Sequence, residues 1–290
     1  MDLPIRCTVN PEVGKLSRFS PQRIEGNSKR VLVVGGGPGG MEAARILKMR
    51  GHHVTLWEKK SVLGGQLLFA GIPSIKKKLS WFLEYLKHQL YHLSIPCEFD
   101  KTATPENILE FGPDELILAT GAVPDYPSIP GIHAPNVKPI EEVLVEDYPA
   151  RESKTIVMGG GAKGVEVALF LSERGDDVSV VEMSEDVAGD MEPISRKDLL
   201  SRLASGGVKM HTGARILSCE EQGVRVTLQE GKEAFIAGEN LIMALGYRPQ
   251  NQLENQLRGA FSRIHTIGDC VKPRKMIDAV SEAYVIATRI

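Results

Sequence analysis

Short apolar runs, two of them leading straight into a glycine cluster, alternate along this chain with longer stretches of helical periodicity. Residues 31–34 (Val-Leu-Val-Val) and 155–158 (Thr-Ile-Val-Met) have the length and near-continuous apolar character of strands buried on both faces of a parallel sheet. Each is followed by a glycine cluster, then by a predicted helix (41–50 and 165–174) closed by Gly51 or Gly175, then by a second strand (53–57 and 178–181). Strands are also predicted over 115–118 and 241–243. Residues 79–93 place Leu79, Phe82, Leu83, Leu86, Leu90 and Leu93 on one helical stripe, and Lys76, Lys77 and Lys78 before it read as a solvated helix start. Prolines scattered through 123–139 interrupt regular structure. Late in the chain, 215–218, 224–228 and 234–237 alternate like strands of a small antiparallel meander.

The two strand–glycine–helix–strand units are copies of one another. Gly35 and Gly159, Gly40 and Gly164, Gly51 and Gly175, and Glu58 and Glu182 are each 124 residues apart. In Gly35-Gly36-Gly37-Pro38-Gly39-Gly40 and Gly159-Gly160-Gly161-Ala162-Lys163-Gly164, the first glycine of the motif turns strand into helix. The second admits the backbone to a pyrophosphate, and the third lets the helix pack on the strand. The helix N-terminus then offers free N–H groups and partial positive charge to the phosphates. Glu58 and Glu182 each end a second strand 23 residues past the first glycine, near the spacing at which an acid meets an adenosine ribose. A lone glycine motif is weak evidence, but two complete copies in register point to two nucleotide sites. The fold class is therefore α/β, with two Rossmann-like dinucleotide-binding domains, the second inserted in the first. Residues 1–29 are expected to form an N-terminal linker carrying Cys7, 30–150 the first part of one domain, 151–245 the inserted domain and 246–290 the return.

A net charge of −2 over 290 residues leaves no basic surplus for nucleic acid. No apolar run reaches membrane-spanning length and the N-terminus lacks a charged-then-apolar signal pattern, so a cytoplasmic location is expected. The four cysteines, Cys7, Cys97, Cys219 and Cys270, are too scattered for a local zinc cage or a C-x-x-C redox pair. His88 and His92 stand one helical turn apart with no glutamate beside His88, which fits a partly exposed helix face better than a metal site.

Three further stretches extend the pattern: Ala119-Thr120-Gly121 after strand 115–118, Ala244-Leu245-Gly246 after 241–243, and Thr266-Ile267-Gly268-Asp269. With them the chain resembles flavoproteins of glutathione reductase-like fold, in which FAD occupies the first dinucleotide domain and NAD(P)H the second. Four more segments narrow the likeness: residues 7–14 (Cys-Thr-Val-Asn-Pro-Glu-Val-Gly), 63–67 (Leu-Gly-Gly-Gln-Leu), 190–193 (Asp-Met-Glu-Pro) and 268–275 (Gly-Asp-Cys-Val-Lys-Pro-Arg-Lys). They resemble the C-terminal half of the 2,4-dienoyl-CoA reductase, enoate reductase and trimethylamine dehydrogenase group of Old Yellow Enzyme-type NADH:flavin oxidoreductases. Complete members of that group begin with an FMN-binding barrel followed by cysteines of a [4Fe–4S] cluster, the last of which resembles Cys7. The barrel and the three upstream cysteines are not among these 290 residues, so substrate reduction at FMN is not carried over.

The resemblance implies FAD along the first unit, with its pyrophosphate at Gly35, Gly37, Pro38, Gly39 and Gly40, and its adenosine end at Glu58 beside Lys59. Asp269, after Gly268, matches the aspartate that bonds the ribityl chain. Gly65, Gln66, Ala119, Thr120, Gly121 and Met276 complete the first set, the flavin ring lying near the helix that begins around Met276, whose N-terminus favours the negative charge of reduced flavin. The second unit, with Gly159, Gly161, Ala162, Lys163, Gly164, Glu182 and Gly246, would take the nicotinamide nucleotide. NADH is expected over NADPH, because Glu182 repels a 2′-phosphate and Met183-Ser184 supplies no arginine. Hydride transfer between two cofactors needs no side-chain acid, base or nucleophile, so no catalytic residue is nominated.

Three of these positions carry two readings. Lys163 meets pyrophosphate or is a solvated lysine at a helix start. Gln66 reaches the flavin ring, as the resemblance favours, or closes a turn. Cys270 beside Asp269 reads more readily as a buried thiol. Cys7 also has two readings: an incidental cysteine near a terminus, or, by the resemblance, the last ligand of a [4Fe–4S] cluster. One thiolate cannot hold a cluster that needs four, so if the cluster exists an FMN-barrel or iron–sulfur domain or subunit would supply the rest and receive the electrons. The competing readings are an ADP-holding structural domain without flavin, against which Asp269 argues, and a stand-alone diaphorase.

Overall fold

The computed structural model describes residues 5–14, 27–145 and 152–290. They divide into two compact units, one comprising those up to 68 with 78–123 and 247–290, the other 69–77 with 124–246.

In the first unit a five-stranded sheet runs in the order Ile264–Thr266, Glu115–Leu118, Arg30–Val34, His53–Trp57, Cys97–Glu98, and every pairing is parallel. Val31, Leu32, Val33, Leu116 and Ile117 have no exposed surface, as expected of strands covered on both faces. The helix after the first strand, Pro38–Met49, starts three residues earlier than the apolar periodicity predicts. Proline's fixed φ and missing N–H suit the first helical position, and Gly37 caps it in extended conformation. Lys78–His92 buries Phe82, Leu83, Leu86 and Leu90, while Ser74–Lys76 before it is a separate 3-10 turn. His88 and His92 stack on the exposed side of that helix, ring centroids 6.2 Å apart.

The starts of three strands are tied by one carboxylate. Glu115 accepts from Lys29 Nζ at 2.7 Å and lies 2.8 Å from His265 Nε2. Burial alone would raise its pKa, but these two partners outweigh burial and hold it below the ordinary value.

The second unit repeats the plan: Val137–Pro139, Asn240–Met243, Lys154–Met158, Asp177–Val181, Lys209–His211, again all parallel. Its helix Ala162–Ser172 also begins three residues before the predicted start. The meander is present as Arg215–Glu220, Gly223–Thr227 and Glu233–Ala237, antiparallel throughout, and packs Val224 and Val226 against Ile156 and Leu241.

The units differ from the expected domains at several places. The described residues of the expected linker 1–29 belong to the first unit, and Gly246, expected to open the return, belongs to the second. Residues 124–145, expected in the first domain, belong to the second unit because Val137–Pro139 supplies its edge strand and Pro130 O accepts from Cys219 N–H at 2.8 Å. Residues 69–77 join it as well, through Lys76 Nζ at 2.6 Å from Glu166 and Ser74 Oγ at 2.9 Å from Glu173. The expected boundary between 150 and 151 lies outside the described residues.

Candidate functional site

In each unit the glycine loop leaves the carboxyl end of the central strand, where the strand order reverses, the place at which open α/β sheets bind their ligands. Gly35 N–H donates to Trp57 O and Ala119 N–H to Val34 O, both at 2.8 Å, which pins the loop between the neighbouring strands. Gly35 has φ +111°, and a Cβ there would lie 2.3 Å from Ala119 O; a Cβ on Gly40 would lie 1.9 Å from Gly35 O. The second loop repeats this. A Cβ on Gly159 (φ +105°) would lie 2.6 Å from Ala244 O, and one on Gly164 would lie 2.0 Å from Gly159 O. These four glycines are required by the fold itself.

Gly37 and Gly161 are not. Their φ, ψ of −75°, 178° and −65°, 175° suit any residue, and a Cβ on either would meet no atom within 4 Å. Nothing among the described residues explains glycine at these two positions, whereas a pyrophosphate resting on the backbone would. Gly121 (φ +74°) and Gly246 (φ +115°), beyond strands Glu115–Leu118 and Asn240–Met243, also face open space, but there the left-handed backbone itself calls for glycine.

The two acids behave as a pair. Glu58 is buried and accepts from Gly36 N–H at 2.7 Å and Lys60 N–H at 2.9 Å. Glu182 accepts from Gly160 N–H at 2.6 Å and Ser184 N–H at 2.8 Å. A carboxylate has about four acceptor positions, so each acid braces its glycine loop and still has acceptors to offer ribose hydroxyls.

Several nominated residues of the first unit form one wall. A Cβ on Gly65 would come within 3.1 Å of Gly37 Cα, and Gly64 N–H donates to Gly36 O at 2.8 Å, so the segment carrying half-buried Gln66 folds over the first loop. Ala279, in the helix Met276–Ala287, stands against both Gly39 and Gly268. A Cβ on Gly39 would meet Ala279 only at ordinary van der Waals distance, 3.4 Å or more. Glu282 accepts from Gly268 N–H at 2.8 Å and pairs with Arg274, whose N–H donates to Asp269 Oδ1 at 3.1 Å; together they fix the Asp269 turn beside Met276. Thr120 Oγ1 donates to Gln250 O at 2.6 Å, and Lys59 Nζ reaches Gln250 Oε1 at 3.4 Å. Lys163 lies exposed on the first turn of its helix.

Cys270 is fully buried, its thiol directed at Ile267 O at 3.0 Å, and burial pushes its pKa up. Burial likewise pushes the Cys219 thiol up to about 11. Cys7 is half-buried, in a segment held to the Met276–Ala287 helix by Arg6 Nη2 at 3.0 Å from Asp278. Among the described residues no cluster of three or more His, Cys, Asp or Glu could hold a metal ion, so the described residues do not by themselves fit a [4Fe–4S] cluster.

The internal repeat runs further than its first four landmarks. Pro38 and Ala162, Glu42 and Glu166, Leu63 and Val187, and Gln66 and Asp190 are also 124 residues apart. Leu63 and Val187 both press on the middle glycine of their loop, and Gly64 N–H to Gly36 O is matched by Ala188 N–H to Gly160 O at 2.7 Å. Asp190, read from the sequence only as part of a family motif, accepts from Ala162 N–H at 2.9 Å. Extending the same offset along the chain would have singled it out.

Two parallel-sheet dinucleotide units of one topology, one inserted in the other, define a flavoprotein NAD(P)H oxidoreductase fold. A family model described as pyridine nucleotide-disulphide oxidoreductase matches residues 29–283, and the chain belongs to that family. It is 38% identical to an NADH oxidase of Thermoanaerobacter brockii over all of this chain and 45% of that protein. It is 34% identical to a cinnamate reductase of Clostridium sporogenes over 99% of this chain and 43% of that protein. A solved structure of 2-naphthoyl-CoA reductase with 2-naphthoyl-CoA superposes with a TM-score of 0.91 at 28% identity, covering 98% of this chain and 43% of the other. These matches support the resemblance to the FAD- and NADH-binding half of the enoate reductase group, and the chain spans just under half the length of these relatives.

Proposed function

We propose that the chain is the reductase module of such an enzyme, binding FAD in the first unit and NADH in the second, and delivering electrons to an iron–sulfur or FMN domain or subunit. Bound FAD would supply the chemistry, accepting a hydride and releasing its electrons one at a time. The observation that carries this reading is the pair Gly37 and Gly161, glycines that the fold does not need and a pyrophosphate does. The protein's own part is to hold and orient. The loop N–H groups take the phosphates, Glu58 and Glu182 take the ribose hydroxyls, and Asp269 takes the ribityl chain. The first turn of Met276–Ala287 offers its partial positive charge to the reduced ring, a contribution of about 0.3–1 kcal/mol when exposed and up to about 2 when partly buried. If Cys7 ligates a cluster, its other ligands come from a partner domain or subunit.

The nucleotide half of this reading is tested by comparing NADH with NADPH. A charge-assisted hydrogen bond from ribose to Glu182 contributes about 1.5–3 kcal/mol, so kcat/KM should favour NADH by about tenfold to a hundredfold. Glu182→Ala should erase most of that preference. Equal kcat/KM for the two nucleotides in the unmodified chain overturns the assignment of Glu182.

A further inference from the structure

We propose that Asp190 is an internal competitor for the nucleotide pyrophosphate and thereby sets the affinity of the second unit; this rests on the reading of that unit as the NADH site. Ala162 opens the helix Ala162–Ser172, and its N–H is one of the groups with no partner inside the helix that meet a pyrophosphate. In the structure that N–H already donates to Asp190 Oδ1 at 2.9 Å. A carboxylate and a phosphate are both anions, and they cannot share one N–H at one helix end. Nucleotide entering the open space above Gly161 therefore has to displace the carboxylate.

The surrounding backbone is braced so that displacement falls on the side chain. Ala188 N–H bonds Gly160 O on one side of Asp190. On the other, Glu192 caps the helix Pro193–Ser205 by accepting from Ile194 and Ser195 N–H at 3.0 and 2.9 Å.

The first unit is the internal control. At the equivalent positions it has Gln66 for Asp190 and Pro38 for Ala162: a neutral side chain, and a residue with no N–H to donate. The contact cannot form there. The two copies thus differ as their duties do, one holding a resident cofactor and the other a nucleotide that has to leave at each turnover.

The test uses the full chain loaded with FAD, titrated calorimetrically with ADP-ribose and, separately, with adenosine, which lacks the pyrophosphate. Asp190→Gln, which installs the residue of the first unit, should bind ADP-ribose about two- to fivefold tighter, the size of one charge at an exposed helix N-terminus. The gain should shrink as salt is raised, and adenosine should bind both proteins equally. Asp190→Asn, the smaller change, is the second variant, and melting midpoints confirm that each is folded. A folded variant that binds ADP-ribose no tighter, or gains as much for adenosine, overturns the competitor. Failure of the unmodified chain to bind ADP-ribose at all overturns the site reading beneath it as well.

Discussion

Gly37 and Gly40 lie three residues apart in one loop and answer to different requirements. A side chain on Gly40 collides with Gly35 O, whereas one on Gly37 meets nothing. Gly40→Ala should therefore destabilise the chain, by about 1–3 kcal/mol for forced overpacking, and lower its melting temperature. Gly37→Val should lose FAD and melt close to the unmodified chain stripped of its flavin, since bound FAD itself raises the melting point. Thermal melts with released-flavin analysis distinguish the two, and a folded Gly37→Val protein that retains full FAD contradicts the first site. At this scale the sequence was informative where a residue type has a narrow physical use: the glycines, the two acids, the lone cysteines. It was silent on what those groups bond to without ligand. That Glu58 and Glu182 brace the backbone of their own loops, and that Ala279 stands against Gly268, depends on strands and helices meeting across long sequence separations.

Individual elements were legible wherever period and punctuation agreed. Both central strands, their helices and the meander follow from the apolar pattern, and the helix starts shifted to Pro38 and Ala162 because capping by Gly37 and Gly161 leaves no hydrophobic trace. The short edge strands Cys97–Glu98 and Val137–Pro139 carry too few residues to show a period.

The Lys29–Glu115–His265 cluster was also invisible, since it joins residues from three distant strand starts. Its consequence is a pH dependence of stability. Glu115 has a lowered pKa in the fold, so its contribution is present above the ordinary carboxylate value near 4.5 and is lost as pH falls through the lowered value. Glu115→Gln should cost about 1–2 kcal/mol at pH 7, discounted because Lys29 is partly exposed. Denaturant melts of the two proteins should converge in strong acid. A difference that stays constant down to low pH contradicts the ion-pair origin.

For the whole molecule, the repeat of 124 residues conveyed two nucleotide units but not where the chain passes between them. Segments 69–77 and 124–145 join the second unit through single ion pairs, hydrogen bonds and one edge strand, interactions that no local pattern announces. Among the described residues no helix is long and apolar enough to cross a membrane. The central claim, that one unit holds FAD and the other feeds it from NADH, is tested most directly by the visible absorption spectrum of the purified chain under anaerobic titration with NADH, with flavin, ADP and iron assayed on the same sample. The expected result is a stoichiometric flavin band that bleaches as NADH is added, without bound iron. A colourless protein that releases ADP, or a flavin that NADH leaves oxidised, would contradict the claim.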